Sequence, residues 1–208
     1  MSMILADIGE VGVHAGERTC VLRPSLYAMS LLGTPRDIVA TFANVQGPDA
    51  AGTAGHAVQR RNALAALYAC AADEDLELLH GLFGTWDEMG HFLAGREPWP
   101  VALAIARCLL KHGVIGALPP LPQRADKQPE YSEKFDAREY VALAMAHLGL
   151  RERDAWEMTM TGLLGALRAK FPPERSPGAS APTVDEHEAT MAWFERVEAA
   201  RAKKQGAH

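Results

Sequence analysis

Residues 148–171, LGLRERDAWEMTMTGLLGALRAKF, join two apolar helical segments through a charged turn. The helix before them, DAREYVALAMAHLG, has Asp136 and Glu139 as a capping pair and is closed by Gly149, which can take the positive φ that ends a helix. After the polar run RERDA come Trp156, then Met158 and Thr159, then a second helix carrying Leu163, Leu164 and Leu167. An aromatic residue at helical spacing completes a core more often than not, so Trp156 and these leucines suit a helical bundle. Trp156 also follows a polar run and stands beside Met158 and Met160, whose flexible thioethers adapt to varied apolar segments, so the same residues suit a platform for another protein. A DNA-reading helix-turn-helix fits poorly. The second helix begins TGLLGA, with almost no donors for a base edge, and Arg168 and Lys170 come only at its far end.

Upstream of this hook the chain reads as α+β and mostly α-helical. Residues 3–23 alternate β-branched residues on both sides of HAGE, where Gly16 can turn the chain, and predict a β-hairpin. Pro24 is expected at the first position of a short helix, PSLYAMSLLG, and Thr34 with Pro35 opens a second helix to about Gln46. GPDAAGTAG (47–55) reads as a loop. Beyond it, HAVQRRNALAALYACAA is expected to bury Val58, Leu64, Leu67 and Tyr68, with Arg60 and Arg61 turned away. DEDLELLHGLFG starts acidic, as suits a helix N-terminus. TWDEMGHFLAG has Thr85 and Glu88 at capping-box spacing and predicts another helix. PWPVALAIARCLLKHG is apolar enough to be the central helix, and 117–134, with its prolines, reads as an extended crossing loop.

The expected organisation is an N-terminal β-hairpin plus helices over 1–46, packed on a multi-helix body over 56–171. A disordered linker over 172–183, rich in Pro, Ser, Gly and Ala, leads to a C-terminal amphipathic helix and tail over 184–208, with Trp193 and Phe194 as candidate contacts.

Composition narrows the chemistry. The chain has 208 residues, 48% hydrophobic and 23% charged, so it can bury a real core. Its net charge of −5 disfavours general nucleic-acid binding. Cys20, Cys70 and Cys108 are odd in number, far apart and flanked by apolar residues, which predicts buried thiols in a reducing compartment. No basic-then-apolar leader opens the chain, and no window reaches the ~18 apolar residues of a membrane span, so neither export nor a membrane is expected.

The sharpest metal signal is a pair of Glu-x-x-His spacings, Glu77 to His80 and Glu88 to His91, since i and i+3 ligands share a helix face. The two pairs lie close in sequence, however, with Gly81 and Gly84 between them, whereas a di-iron bundle draws its pairs from facing helices. Solvated acids and satisfied histidines are the simpler reading. No metalloprotease motif, Cys-x-x-Cys pair, nucleophile elbow or phosphate loop occurs, so no catalytic residue, cofactor or metal is expected.

On Leu148, Gly149, Leu150, Trp156, Met158, Thr159 and Leu163–Leu167, the hook resembles the short signature of phage tail assembly chaperones. Many of those carry a Glu soon after the Thr, where this chain has Thr161 and Gly162. The stretch GEVGVHAGERTCVLRPSLYAMSLL is similar to the opening of tail proteins from phages and gene transfer agents, and the whole chain looks like uncharacterised phage proteins of this length. The resemblance implies a non-enzymatic phage or prophage protein in the cytoplasm of the bacterial host. Its partners would be the tape measure protein or other tail proteins during tail assembly. The partner-binding residues so implied are Trp156, Met158, Met160, Leu163, Leu167, Trp193 and Phe194. A structural tail or neck protein retained in the virion is the alternative, and a metal-dependent enzyme using Glu77, His80, Glu88 and His91 is a lesser one.

Overall fold

A computed structural model describes residues 3–49, 52–119 and 133–172. These fall within one compact unit, Met1–Pro172. Most of the crossing loop, the 173–183 part of the linker, the terminal helix, Trp193 and Phe194 lie outside the described residues.

The fold is α+β and mostly helical. Strands β1 (Val11–Ala15) and β2 (Arg18–Leu22) pair antiparallel in the register Val11↔Leu22 to Ala15↔Arg18, with Gly16 at φ 61° in the turn. Alternation places Val13, Cys20 and Leu22 on the core side. Helix α1 (Leu26–Ser30) is capped by Ser25, whose hydroxyl accepts the Ala28 N–H at 3.1 Å; Pro24 therefore precedes the cap instead of opening the helix. Helix α2 (Pro35–Gln46) begins with a complete capping box: Asp37 N–H donates to Thr34 Oγ1 at 3.4 Å, and Thr34 N–H to Asp37 Oδ2 at 2.9 Å.

Helix α3 (Gly52–Ala69) starts inside the expected 47–55 loop, and its stripe is rotated from the sequence expectation. Leu64 and Leu67 are fully buried, but Val58 is 54% exposed. Gln59 takes the inner position and donates to the carbonyls of Asn44 and Pro48, both at 3.1 Å. A buried amide so satisfied ends the preceding segment, an arrangement that apolar periodicity cannot register.

Helix α4 (Leu76–Phe83) is followed by the largest departure from sequence expectation. TWDEMGHFLAG forms strands β3 (Gly84–Trp86) and β4 (Phe92–Ala94), paired antiparallel, and not a helix. Asp87 Oδ1 accepts the N–H groups of Met89 and His91 at 3.0 and 2.7 Å, an Asx-type turn that Gly90 completes at φ 81°. Trp86 and Phe92 meet at a tilt across the hairpin, 5.2 Å apart at 57°; Arg60, half-buried, lies over Phe92, whereas Arg61 is exposed as expected and reaches the Trp86 ring from outside.

Helix α5 (Trp99–Leu110) packs on α3 and α2 and buries Leu103, Ala106, Leu109 and Leu110. It runs into a π-helical turn, Lys111–Ile115. There Gly113 lets Met29 lie against the backbone, because a Cβ would meet the thioether. The hook consists of α6 (Ala137–Leu148), α7 (Glu152–Trp156) and α8 (Met160–Lys170), with Gly149 in the left-handed region at φ 69°. Among the described residues no helix is long and apolar enough to cross a membrane.

Candidate partner-binding surface

The start of α8 is held from below. Thr159 caps it, accepting the Gly162 N–H at 3.0 Å, and forms an antiparallel bridge with Ser25. The Leu26 N–H donates to the Met158 carbonyl at 2.8 Å. Thr161 faces the π-helical turn, where its hydroxyl lies 3.0 Å from His112 Nδ1 and accepts the Ala117 N–H at 3.0 Å. Burial, and then the neighbouring Lys111, holds the His112 imidazole below its ordinary pKa, so the neutral ring is favoured here.

These constraints sort the residues expected from sequence. Met160 and Leu163 are buried in the core, so they carry the surface from beneath and are not presented to a partner. Met158 is half-buried with its backbone committed to α1. Trp156 is half-buried, packed on the core on one side and open on the other. Leu167 lies apart from it, lining an apolar concavity of about 500 Å³ between α6 and α8 with Leu143, Leu164 and Phe171. At that end Lys170 donates to the His147 carbonyl and Arg168 to the Pro119 carbonyl, so both basic side chains are tied to main chain.

Trp156 forms one wall of a second concavity, of about 720 Å³. Tyr27 of α1, 54% exposed, meets the indole edge to face with centroids 6.4 Å apart and planes at 88°. The Arg138 guanidinium lies 5.6 Å from the Trp156 ring centroid, a cation–π distance. The indole N–H points to Glu152 Oε1 at 3.4 Å. Arg153 and Glu157 complete the rim. Glu157 lies 3.8 Å from Arg23, whose guanidinium also pairs at 2.7 Å with the Glu10 carboxylate, a side chain with no exposed surface. Glu10 in turn accepts the Leu5 N–H at 2.7 Å, so this buried charge is paired and hydrogen-bonded. Tyr27 and Arg138, which sequence reading missed, come from α1, at the other end of the chain from Trp156, and from the start of α6, the helix before it.

The Glu-x-x-His pairs do not assemble. Glu77 and His80 do lie on α4, but His80 packs edge-on against Tyr68 at 4.7 Å. Glu88 and His91 stand on the β3–β4 turn, where helical i, i+3 geometry does not exist, and His91 Nδ1 faces Asp87 at 3.3 Å. Among the described residues no three His, Cys, Asp or Glu side chains gather closely enough to hold a metal ion.

The fold and surface thus define a helix-rich α+β protein with an open, aromatic, charge-rimmed corner. Residues 56–189, well over half of the chain, match the model of a family of unknown function, DUF6246, and the chain belongs to that family. No curated protein and no solved structure matches the chain.

Proposed function

We propose that this protein is a non-enzymatic phage or prophage tail assembly chaperone, working in the cytoplasm of the bacterial host and binding the tape measure protein or other tail proteins. The observation that carries the reading is the Trp156–Tyr27 corner, a large aromatic pair left half open at the wall of a concavity of about 720 Å³. Buried aromatic anchors in such concavities dominate protein–protein binding energies. The resemblance of residues 148–171 to chaperone signatures supplies the kind of partner. The structure adds that the Met158–Thr159 pair of this signature fixes the start of α8 and so orients Trp156.

The test is co-purification of the full chain with the tape measure or tube protein encoded beside it, for wild type and Trp156→Ala. Capture by wild type and loss in the variant support the reading; no capture by folded wild type refutes it. Mass spectrometry of purified particles separates the alternative, because a chaperone is absent from mature virions and a structural tail or neck protein is present in many copies.

A further inference from the structure

The charges around the Trp156 corner are not balanced in their pairing. On α7, Asp154 is held by two bonds from Arg151, at 2.7 and 3.0 Å, and that hydrogen bonding keeps its carboxyl below the usual carboxylate range. Glu152 accepts the indole N–H, and Glu157 lies beside Arg23. The two cations of the rim differ: among the described residues neither Arg138 nor Arg153 forms an ion pair or a side-chain hydrogen bond. The Arg138 guanidinium lies over the Trp156 ring. A guanidinium over an aromatic ring keeps N–H donors free for a carboxylate. The corner therefore offers an apolar cleft with two guanidiniums open to a carboxylate, while its own carboxylates are directed elsewhere, Glu152 to the indole N–H and Glu157 toward Arg23.

We propose that this corner receives an apolar side chain from an acidic segment of the partner protein, with Arg138 and Arg153 taking the carboxylates that flank that side chain. The inference rests on the reading of the corner as a partner site and names the chemistry of what enters it. Two cations beside an aromatic pair do not form the basic track that a nucleic-acid backbone requires. They do suit acidic residues that accompany an apolar anchor. Docking removes water from the indole and phenol faces and lowers the local dielectric, so each arginine–carboxylate contact gains strength as the anchor seats.

The test uses two helical probe peptides of about 15 residues, long enough to hold a helix, with the same leucine spacing and either glutamates or lysines beside the leucines. Each is titrated calorimetrically into the full chain. The glutamate peptide is expected to bind at least about tenfold more tightly at low salt, with the advantage shrinking as salt screens the pairs. Arg138→Glu with Arg153→Glu should reverse the preference with only a small change in melting temperature, since both side chains are exposed and only the Arg138 contact with the Trp156 ring is lost. Trp156→Phe, which keeps a ring in place, should weaken both peptides less than Trp156→Ala.

Equal affinity for the two peptides, binding of neither, preference for the lysine peptide, or selectivity that survives charge reversal would each overturn the proposal. Self-association in sedimentation that the charge-reversed variant abolishes would assign the corner to a second copy and also overturn it. Failure of the tail-assembly reading looks different: tail proteins then do not co-purify, while the peptide selectivity stands.

Discussion

Ser25 and Thr159 face each other across an isolated antiparallel bridge, and each is also the N-cap of its own helix. Both are buried, so neither hydroxyl has water as a ready substitute for the N–H it accepts. The hook is thereby tied to the N-terminal unit at the point where both helices start. Thr159→Ala should cost roughly 1–2 kcal/mol of stability, the upper part of the range for losing a cap, whereas Thr159→Ser should retain most of it. Urea unfolding of the two variants checks this; equal losses would mean that the methyl group, and not the hydroxyl, is what the site needs.

Trp156 and Leu163 should separate binding from folding. Leu163 is fully buried, and Leu163→Ala is expected to cost roughly 2–5 kcal/mol, as for other core leucines. Trp156 is only half-buried, so Trp156→Ala should cost less than the ~3–5 kcal/mol of a core tryptophan. Thermal melting of the pair decides: a larger drop for Trp156→Ala would make the indole a core element first.

His112 should give the protein an acid-side dependence. Its folded pKa lies below the ordinary value near 6.5, so the unfolded chain binds the proton more readily. The contribution is then fully present above about pH 6.5 and is lost as pH falls through the folded pKa. An imidazole titration by NMR should show a midpoint below that of a free histidine, and His112→Gln should flatten this part of the stability profile.

The three thiols should react in order of exposure. Burial pushes the Cys70 thiol up, and burial followed by Asp75 raises Cys20, so both are poor in thiolate. Cys108 is half-buried. Alkylation of the native protein followed by peptide mapping should mark Cys108 first, with Cys20 and Cys70 reacting on unfolding. Fast labelling of Cys70 in the native state would contradict its placement.

The first hairpin, α2 with its Thr34 cap and Pro35, and the Gly149 turn were legible in the sequence because each rests on local chemistry that a few residues carry. The β3–β4 hairpin was not. Thr85 and Glu88 have capping-box spacing, but Asp87 and Gly90 hold turn positions, and two long-range facts settle the contest. Tyr68 donates from α3 to the Gly84 carbonyl, and the Arg60 and Arg61 guanidiniums cover the Phe92 and Trp86 rings. The Asp-x-x-Gly turn was the signal available. Likewise, the indole of the candidate site was visible, but Tyr27 and Arg138 reach it only through tertiary packing, which no local pattern encodes.

The bridge between Ser25 and Thr159 also bears on how the protein is made. Its two strands of main chain are separated by most of the chain, so the N-terminal unit cannot complete its contacts until residue 159 has left the ribosome. At synthesis rates of about 5–20 residues per second, that leaves Leu26 and Met29, both fully buried in the finished fold, waiting on the order of ten seconds for the hook that helps cover them. The chain thus begins its own life with these residues uncovered, and its yield in a cell should follow the supply of ribosome-associated holdases more closely than its equilibrium stability alone would suggest.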